Sequence, residues 1–252
     1  MKKLFLFLLL GLIFWSCGTT EDTSNMGPSD RMTYALKIFN DGEYEASIKE
    51  LEAILLQYPG NEIADQAQYY LGQSRFKRKE YILAGYEYSK LIKTMTASKY
   101  VPDAQYMLAS CYYELAPPYP VDQKYTKKAI EELQAFIDFF PADPRVAESE
   151  KRIDELQNRL AEKEFHDAYI YEKMEYFNAA IMTYGKVTET FHDSKFAPMA
   201  SYKRIQLLMR RKRFTEASTE IEQFLAKYPQ DEKIKEVQTM KTDISNQVTV
   251  TK

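Results

Sequence analysis

The chain has 252 residues, of which 45% are hydrophobic and 28% are charged, enough apolar sequence for one or two compact units. Its formal net charge of −3 gives no sign of the basic surface that nucleic-acid binding requires. Only 8 glycines accompany 20 tyrosines and 14 phenylalanines, and the abundant Ala, Leu, Glu and Lys favour helices over a turn-rich β fold. Composition therefore predicts an all-α protein without a nucleic-acid partner.

The N-terminus has the pattern of an export signal. Two lysines precede an apolar run of about 12 residues, shorter than the ~20 that a bilayer-spanning helix needs and typical of a signal peptide. Ser16 and Cys17 follow, and a small residue before a cysteine resembles a lipoprotein signal, in which the cysteine is lipidated. We predict a signal peptide at 1–16, a lipid on Cys17 and a flexible linker at 17–29. An ordinary cleaved signal and an uncleaved anchor are the alternatives.

Cys111 is the other of the two cysteines. It lies in an apolar stretch that reads as a helix, and a free cysteine in such a place is usually a small buried residue. If Cys17 carries a lipid, no thiol remains to pair with Cys111 in a disulfide.

A 17-residue pattern occurs near both ends of the chain, as EYEASIKELEAILLQYP at 43–59 and RFTEASTEIEQFLAKYP at 213–229. An aromatic, a small residue, two large apolar residues and a proline keep the same offsets, and three further copies lie between. The small residues of the copies are Ser47, Ala84, Ala129, Ala180 and Ala217. Each copy follows another helical pattern, so the small residue would let two helices approach closely and the proline would end the second.

These helix pairs resemble the tetratricopeptide (TPR) motif, a helix–turn–helix unit of 34 residues. Two longer spacings have visible causes: an inserted loop at 116–126 in the third unit, and an amphipathic stretch at 143–165 that extends the next helix. We predict a TPR superhelix of five helix–turn–helix repeats, with repeats 1–3 in 30–144 and repeats 4–5 with a capping helix in 145–252. The alternative is five unrelated amphipathic hairpins.

The stretch 152–200 resembles the fourth repeat of the BamD family, the TPR lipoproteins of the outer-membrane β-barrel assembly (BAM) machinery. The matching residues are Leu156, Asn158, Arg159, Leu160, Ala161, Glu162, Tyr169, Tyr171, Tyr176, Ala179 and Ala180. The resemblance covers about 31–229. It implies a lipid-anchored scaffold on the periplasmic face of the outer membrane, whose N-terminal repeats bind unfolded outer-membrane proteins and whose C-terminal repeats bind the periplasmic domains of BamA.

In a TPR superhelix the first helix of each repeat lines one continuous groove. The register predicts that repeats 2 and 3 present to this groove Tyr69, Gln73, Phe76, Tyr106, Ser110 and Tyr113. Aromatic rings interleaved with amide and hydroxyl groups suit a peptide with apolar side chains and a hydrogen-bonding backbone. Packing between neighbouring repeats is the alternative role for these side chains.

A basic turn, RRKR at 210–213, falls in the last predicted repeat. Arg210, Arg211 and Arg213 are candidates for docking an acidic partner surface, since opposite charges favour association. The alternative is a solvated turn without a partner.

Signals of catalysis are missing from the sequence: it has no glycine-rich phosphate loop, no G-x-S-x-G motif and no Cys/His cluster. Glu162 and His166 lie four residues apart on a predicted helix, but two ligands do not make a metal site. We predict a non-enzymatic protein with no metal and no cofactor beyond the lipid on Cys17.

Two rival functions stay open. One is an exported TPR adaptor of the peptidoglycan machinery, similar to the Tol–Pal coordinator. That family carries a coiled coil before its repeats, whereas here only a short polar linker intervenes. The other is a cell-wall enzyme with a TPR fold, for which the sequence offers no carboxylate pair and no nucleophile–base pair.

Overall fold

A computed structural model describes residues 23 and 25–250 of the chain, and this part contains eleven α-helices and no strand. The helices are α1 (Pro28–Asn40), α2 (Tyr44–Gln57), α3 (Ala64–Lys77), α4 (Tyr81–Thr94), α5 (Val101–Leu115), α6 (Lys124–Phe139), α7 (Val146–Lys173), α8 (Phe177–Thr190), α9 (Ala197–Arg210), α10 (Phe214–Lys227) and α11 (Ile234–Val250). The all-α class predicted from composition is confirmed.

The helices pack in chain order, each on the helix before it and the helix after it. We group them as pairs 1 to 5, from α1/α2 to α9/α10, followed by α11. The small residue of every second helix is fully buried, at Ser47, Ala84, Ala129, Ala180 and Ala217. A small side chain at the contact brings two helices close together, as the repeat pattern predicts. The count of five repeats stays a prediction, because this packing continues from helix to helix without a break that would delimit units.

In four pairs a residue with left-handed backbone lies two positions after the end of the first helix, at Gly42, Lys79, Glu175 and Lys212. In pair 2, the amide of Glu80 donates to the carbonyl of Arg75, five residues earlier, at 2.9 Å. This is the Schellman pattern, which satisfies carbonyls at the end of a helix. Only Gly42 adopts the conformation without steric cost, because the other three residues carry a Cβ.

The second helices end at equivalent residues whether or not a proline follows. In α2 the cap is Tyr58, with φ −126° and ψ 53°, and Pro59 follows; in α4 the cap is Met95, with φ −127° and ψ 51°, and Thr96 follows. Both caps are bulky side chains that pack against the apolar core. The prediction that proline ends these helices is therefore too narrow, since the buried cap residue accompanies the same end without it.

Two irregularities separate pair 3 and pair 4 from the others. An eight-residue loop, 116–123, joins α5 to α6, where the other pairs use three residues. Helix α7 has 28 residues. Its first half packs on α6 through Ile153 and Leu156, and its second half packs on α8 through Ala161 and Ala168. The predicted insertion and the predicted long helix are both confirmed.

No helix in the described part of the chain is long and apolar enough to cross a membrane. Helix α1 begins at Pro28, within the segment predicted as linker, and a proline is well suited to the first turn of a helix. The predicted signal peptide at 1–16 and the lipidation site Cys17 lie outside the described residues.

Candidate functional site

The three predicted groove residues of α3 are half-buried, and each contacts a neighbouring side chain. The ring of Tyr69 stacks on Tyr100, with centroids 4.9 Å apart, and the Gln73 amide donates to the Tyr69 hydroxyl at 2.8 Å. Burial raises the pKa of Tyr69 to about 12, so this hydroxyl stays protonated and available as a donor. Phe76 packs edge-on against Tyr81, with centroids 5.2 Å apart. Each of these side chains is held by a neighbour and keeps part of its surface in solvent.

The three predicted groove residues of α5 are also brought together. Tyr106 and Tyr113 are half-buried, whereas Ser110 is buried and accepts a hydrogen bond from Arg152 at 3.2 Å. The Tyr113 hydroxyl donates to the Glu155 carboxylate at 2.6 Å, and this hydrogen bond raises the pKa of Tyr113. A ligand on α5 would therefore meet two aromatic rings, while the serine lies beneath a side chain of α7.

Arg145, which directly precedes α7, and Arg152, within α7, lie against these two rings and were not predicted from the sequence. The guanidinium of Arg152 lies 4.8 Å from the ring centroid of Tyr113 and 5.4 Å from that of Tyr106. Arg145 lies 4.8 Å from the Tyr106 centroid and forms an ion pair with Asp103 at 2.8 Å. Contacts of this kind are favourable because the ring face is electronegative. Arg145 and Arg152 are seven residues apart, a spacing that places two residues on the same side of a helix, and this spacing could have indicated them from the sequence.

The loop that joins α5 and α6 is pinned to α7. Arg159, seven residues after Arg152, donates to the carbonyls of Ala116 and Pro117 at 3.0 and 3.3 Å. The ring of Tyr119 stacks on His166, with centroids 4.7 Å apart. The loop and the long helix therefore form one connected surface beside the α5 aromatics.

The basic turn after α9 contains two kinds of arginine. Arg213 holds Glu216 through two hydrogen bonds of 2.7 and 2.6 Å, and this pairing lowers the pKa of that carboxyl. Arg210 and Arg211 are exposed, and their guanidinium carbons lie 4.3 and 5.9 Å from the ring centroid of Phe177. Neither forms a salt bridge within the described part of the chain. The charges of Arg210 and Arg211 remain open to a partner, whereas that of Arg213 is already balanced.

Cys111 is buried and free, and burial raises the pKa of its thiol to about 12. A thiol with such a pKa is protonated at neutral pH and reacts slowly. Its position agrees with the structural role expected from the sequence.

A family model described as YfiO, outer membrane lipoprotein, matches residues 25–204 of the chain. The chain belongs to this family. It is 25% identical over 210 residues to the outer membrane protein assembly factor BamD of Rickettsia prowazekii, a match that covers 82% of this chain and 84% of that relative. A putative BamD of Aquifex aeolicus is 27% identical over 238 residues, which cover 92% and 77% of the two chains. The predicted resemblance to the BamD family is confirmed.

Among solved structures, a TPR repeat protein of Bacteroides fragilis superposes with a TM-score of 0.51 at 13% sequence identity. The match covers 88% of this chain and 99% of that chain. At this identity the likeness concerns the fold alone, and it supports the TPR architecture.

Proposed function

We propose that the chain is an outer-membrane lipoprotein of the BAM complex, anchored on the periplasmic face through Cys17. It would act as a scaffold that binds unfolded outer-membrane β-barrel proteins and the periplasmic domains of BamA. Membership of the YfiO family and the names of the two relatives support the assembly role. The single observation that carries the client-binding part is the row of partly exposed aromatics on α3 and α5.

The proposed client site uses Tyr69, Gln73, Phe76, Tyr106 and Tyr113, whereas Ser110, predicted with them, is buried beneath Arg152 and is not part of it. Rings that are already immobilised lose little conformational entropy when a ligand covers them, which favours binding. Hydroxyl and amide groups beside them suit the backbone of an extended client segment. Binding would hold the segment in an unfolded conformation until it is passed to the barrel-forming subunit. This mechanism needs affinity and no catalysis.

Binding of an aromatic peptide tests the client site. A fluorescent peptide that ends in alternating aromatic residues should bind the full chain, and Tyr113→Ala should weaken binding about tenfold, the loss of ~1.4 kcal/mol typical of a buried aromatic contact. Leu56→Ala, at an exposed position on α2, is the matched control and should bind as the parent does. Equal affinity for a peptide with its aromatics replaced by serine would refute this site.

The proposed BamA site is the pair Arg210 and Arg211, whose charges no described carboxylate balances. Arg210→Glu/Arg211→Glu should abolish co-purification of BamA, because reversed charges repel an acidic partner surface. Lys124→Glu/Lys127→Glu makes the same charge change on exposed positions of α6 and should leave BamA bound. Absence of BamA from the parent complex would overturn the assignment to the BAM machinery.

Incorporation of labelled palmitate tests the anchor. Cys17→Ala should lose the label and release the chain from the membrane fraction, whereas Cys111→Ala should keep it, because Cys111 is buried in the fold. Label retained in Cys17→Ala would place the lipid at another residue, and absence of label from the parent would show that none is attached.

A further inference from the structure

In pairs 2, 3 and 5, one side of the first helix packs against the second helix of the preceding pair. The equivalent side of α7, in pair 4, does not. The register that aligns Tyr69, Tyr106, Phe165 and Tyr202 places the four equivalent flank residues five positions later, at Ser74, Cys111, Ile170 and Leu207. Ser74, Cys111 and Leu207 are 0%, 0% and 3% exposed. Ile170 is 52% exposed. The same position of the repeat is thus buried three times and open once.

The three buried residues show what normally covers this position. The hydroxyl of Ser74 donates to that of Ser47 on α2 at 3.4 Å. A Cβ placed on Gly85 of α4 would lie 3.7 Å from the Cβ of Cys111, so the backbone of α4 approaches this side chain closely. Leu207 lies in one apolar cluster with Ile181 of α8. In each case an α-helix with small or apolar residues occupies the flank.

The length of α7 explains the exception. Helix α6, which precedes α7, packs against Ile153 and Leu156 in the first half. Ile170 lies 14 residues after Leu156, about 21 Å along the helix axis at 1.5 Å per residue. Helix α8 packs on the second half through Ala168, on the other side. The extension therefore carries the flank of pair 4 beyond the reach of the helix that would have covered it.

The open flank is apolar over little more than one helical turn. Ile170, Tyr171 and Met174, the residue that caps α7, are 52%, 39% and 54% exposed, and their spacing places them on one side of the helix end. Asp167, one turn earlier, is half-buried. His166 closes the stripe at that end, because the loop residue Tyr119 stacks on it. We call Ile170, Tyr171 and Met174 the α7 flank.

We propose that the α7 flank is the docking site for an amphipathic α-helix of a partner protein. The partner helix sits where α2, α4 and α8 sit on the first helix that follows each of them. It presents small residues toward Ile170, as α4 presents Gly85 toward Cys111, and apolar residues toward Tyr171 and Met174. A basic residue near its end faces Asp167. The proposal follows from the stacking of this chain alone and does not depend on the aromatic row of α3 and α5.

Photo-crosslinking in cells that natively express the full chain tests this site. Benzoylphenylalanine at position 170 or 174 should trap one protein, and the captured residues should lie three or four apart in its sequence, as on one face of a helix. Leu56 and Met182, which are 81% and 75% exposed on α2 and α8, are the matched positions and should not trap that protein. Capture of lipid alone, of a second copy of this chain or of an extended segment would overturn the proposal, as would no capture.

A charge variant separates docking from stability. Ile170→Lys/Met174→Lys should unfold at the same temperature as the parent, since both side chains are already exposed, and should reduce co-purification of the trapped protein at least tenfold. Leu56→Lys/Met182→Lys should retain it. Retention by the Ile170→Lys/Met174→Lys variant would contradict the proposal. Loss of the trapped protein while the aromatic peptide still binds would separate this site from the client site.

Discussion

Pair 2 and pair 4 contain the same buried tyrosine in different surroundings. Tyr88 on α4 and Tyr184 on α8 each lie four residues after the small residue of the repeat, and neither is exposed. The Tyr184 hydroxyl donates to Glu172 on α7 at 2.9 Å. The Tyr88 hydroxyl has no hydrogen-bond partner among the described residues. The tyrosine hydroxyl at this position of the repeat is therefore hydrogen-bonded in pair 4 and unpaired in pair 2.

The residues beneath the two rings account for the difference. Phe76 occupies in α3 the place that Glu172 occupies in α7, so pair 2 offers the tyrosine no acceptor. Gly72 occupies the place of Ala168, and a Cβ there would lie 2.7 Å from a ring carbon of Tyr88. The ring of Tyr88 therefore packs directly on the backbone of α3 at Gly72. Pair 2 has this close contact where pair 4 has a hydrogen bond.

The largest expected effect comes from Gly72→Ala. The added Cβ would meet three ring carbons of the buried Tyr88 at 2.7 to 2.9 Å, so the free energy of unfolding should fall by about 1–3 kcal/mol. Thermal unfolding followed by circular dichroism measures it. Gly85→Ala on α4 is the control: its Cβ would meet neighbours at 3.5 Å or more, and better helix propensity should raise stability by up to ~1 kcal/mol. Similar losses at both glycines would contradict the packing explanation.

Tyr184→Phe should destabilise the fold by about 1–2 kcal/mol, because Glu172, a charged acceptor, loses the hydrogen bond that the Tyr184 hydroxyl donates. Lys203, at 3.5 Å, still pairs with Glu172 and limits the loss. Urea unfolding of the variant and the parent gives the difference. No change in the urea midpoint would show that the Tyr184 hydroxyl gains nothing from Glu172 in the folded protein over its hydrogen bonds to water in the unfolded chain.

Tyr88→Phe should leave stability unchanged or raise it by up to ~1 kcal/mol, since it removes a buried hydroxyl without a partner. The same urea experiment measures it beside Tyr184→Phe. A loss as large as that of Tyr184→Phe would mean that the two sites do not differ as described.

The turns of the two pairs should respond alike. Lys79 and Glu175 have φ of 62° and 61°, a conformation that costs a residue with a Cβ roughly 1–2 kcal/mol and glycine little. Glycine also loses more conformational entropy on folding, which offsets part of this gain. Lys79→Gly and Glu175→Gly should therefore each raise the free energy of unfolding by about 0.5–1 kcal/mol. Gly42→Ala, at φ 85°, should lower it. Melting temperatures that move the other way in either glycine variant would refute this prediction.

The smallest effect concerns acid stability of the connector between pairs 3 and 4. Hydrogen bonds from Arg145 lower the pKa of Asp143 from 3.8 to about 2. The folded-state pKa is the lower one, so the carboxylate stabilises the fold above about pH 4 and loses this contribution as the pH falls toward 2. The stability difference between the parent and Asp143→Asn should shrink over that window. A difference that does not vary with pH would contradict the pairing.

The repeat pattern alone predicted the buried small residues, the long α7 and the inserted loop. A solenoid makes this possible, because each helix contacts only its neighbours in sequence and local periodicity decides the contacts. The residue that ends the second helices was predicted less well. The sequence pattern assigned that role to Pro59, whereas the helix cap is Tyr58, which packs inward. At the candidate site, the tyrosines of α3 and α5 were found, but Arg145 and Arg152 were not, because their approach depends on where α7 begins.

The sequence by itself determined the helical class, the pairing of neighbouring helices and the family resemblance, since all three rest on residue types at short, regular spacings. Only the tertiary structure decided that Tyr184 has an acceptor while Tyr88 has none, and that Ile170 is open while Cys111 is closed. These properties depend on distances between helices, and a helix that is longer by several turns moves a residue away from the neighbour that its repeat position would imply.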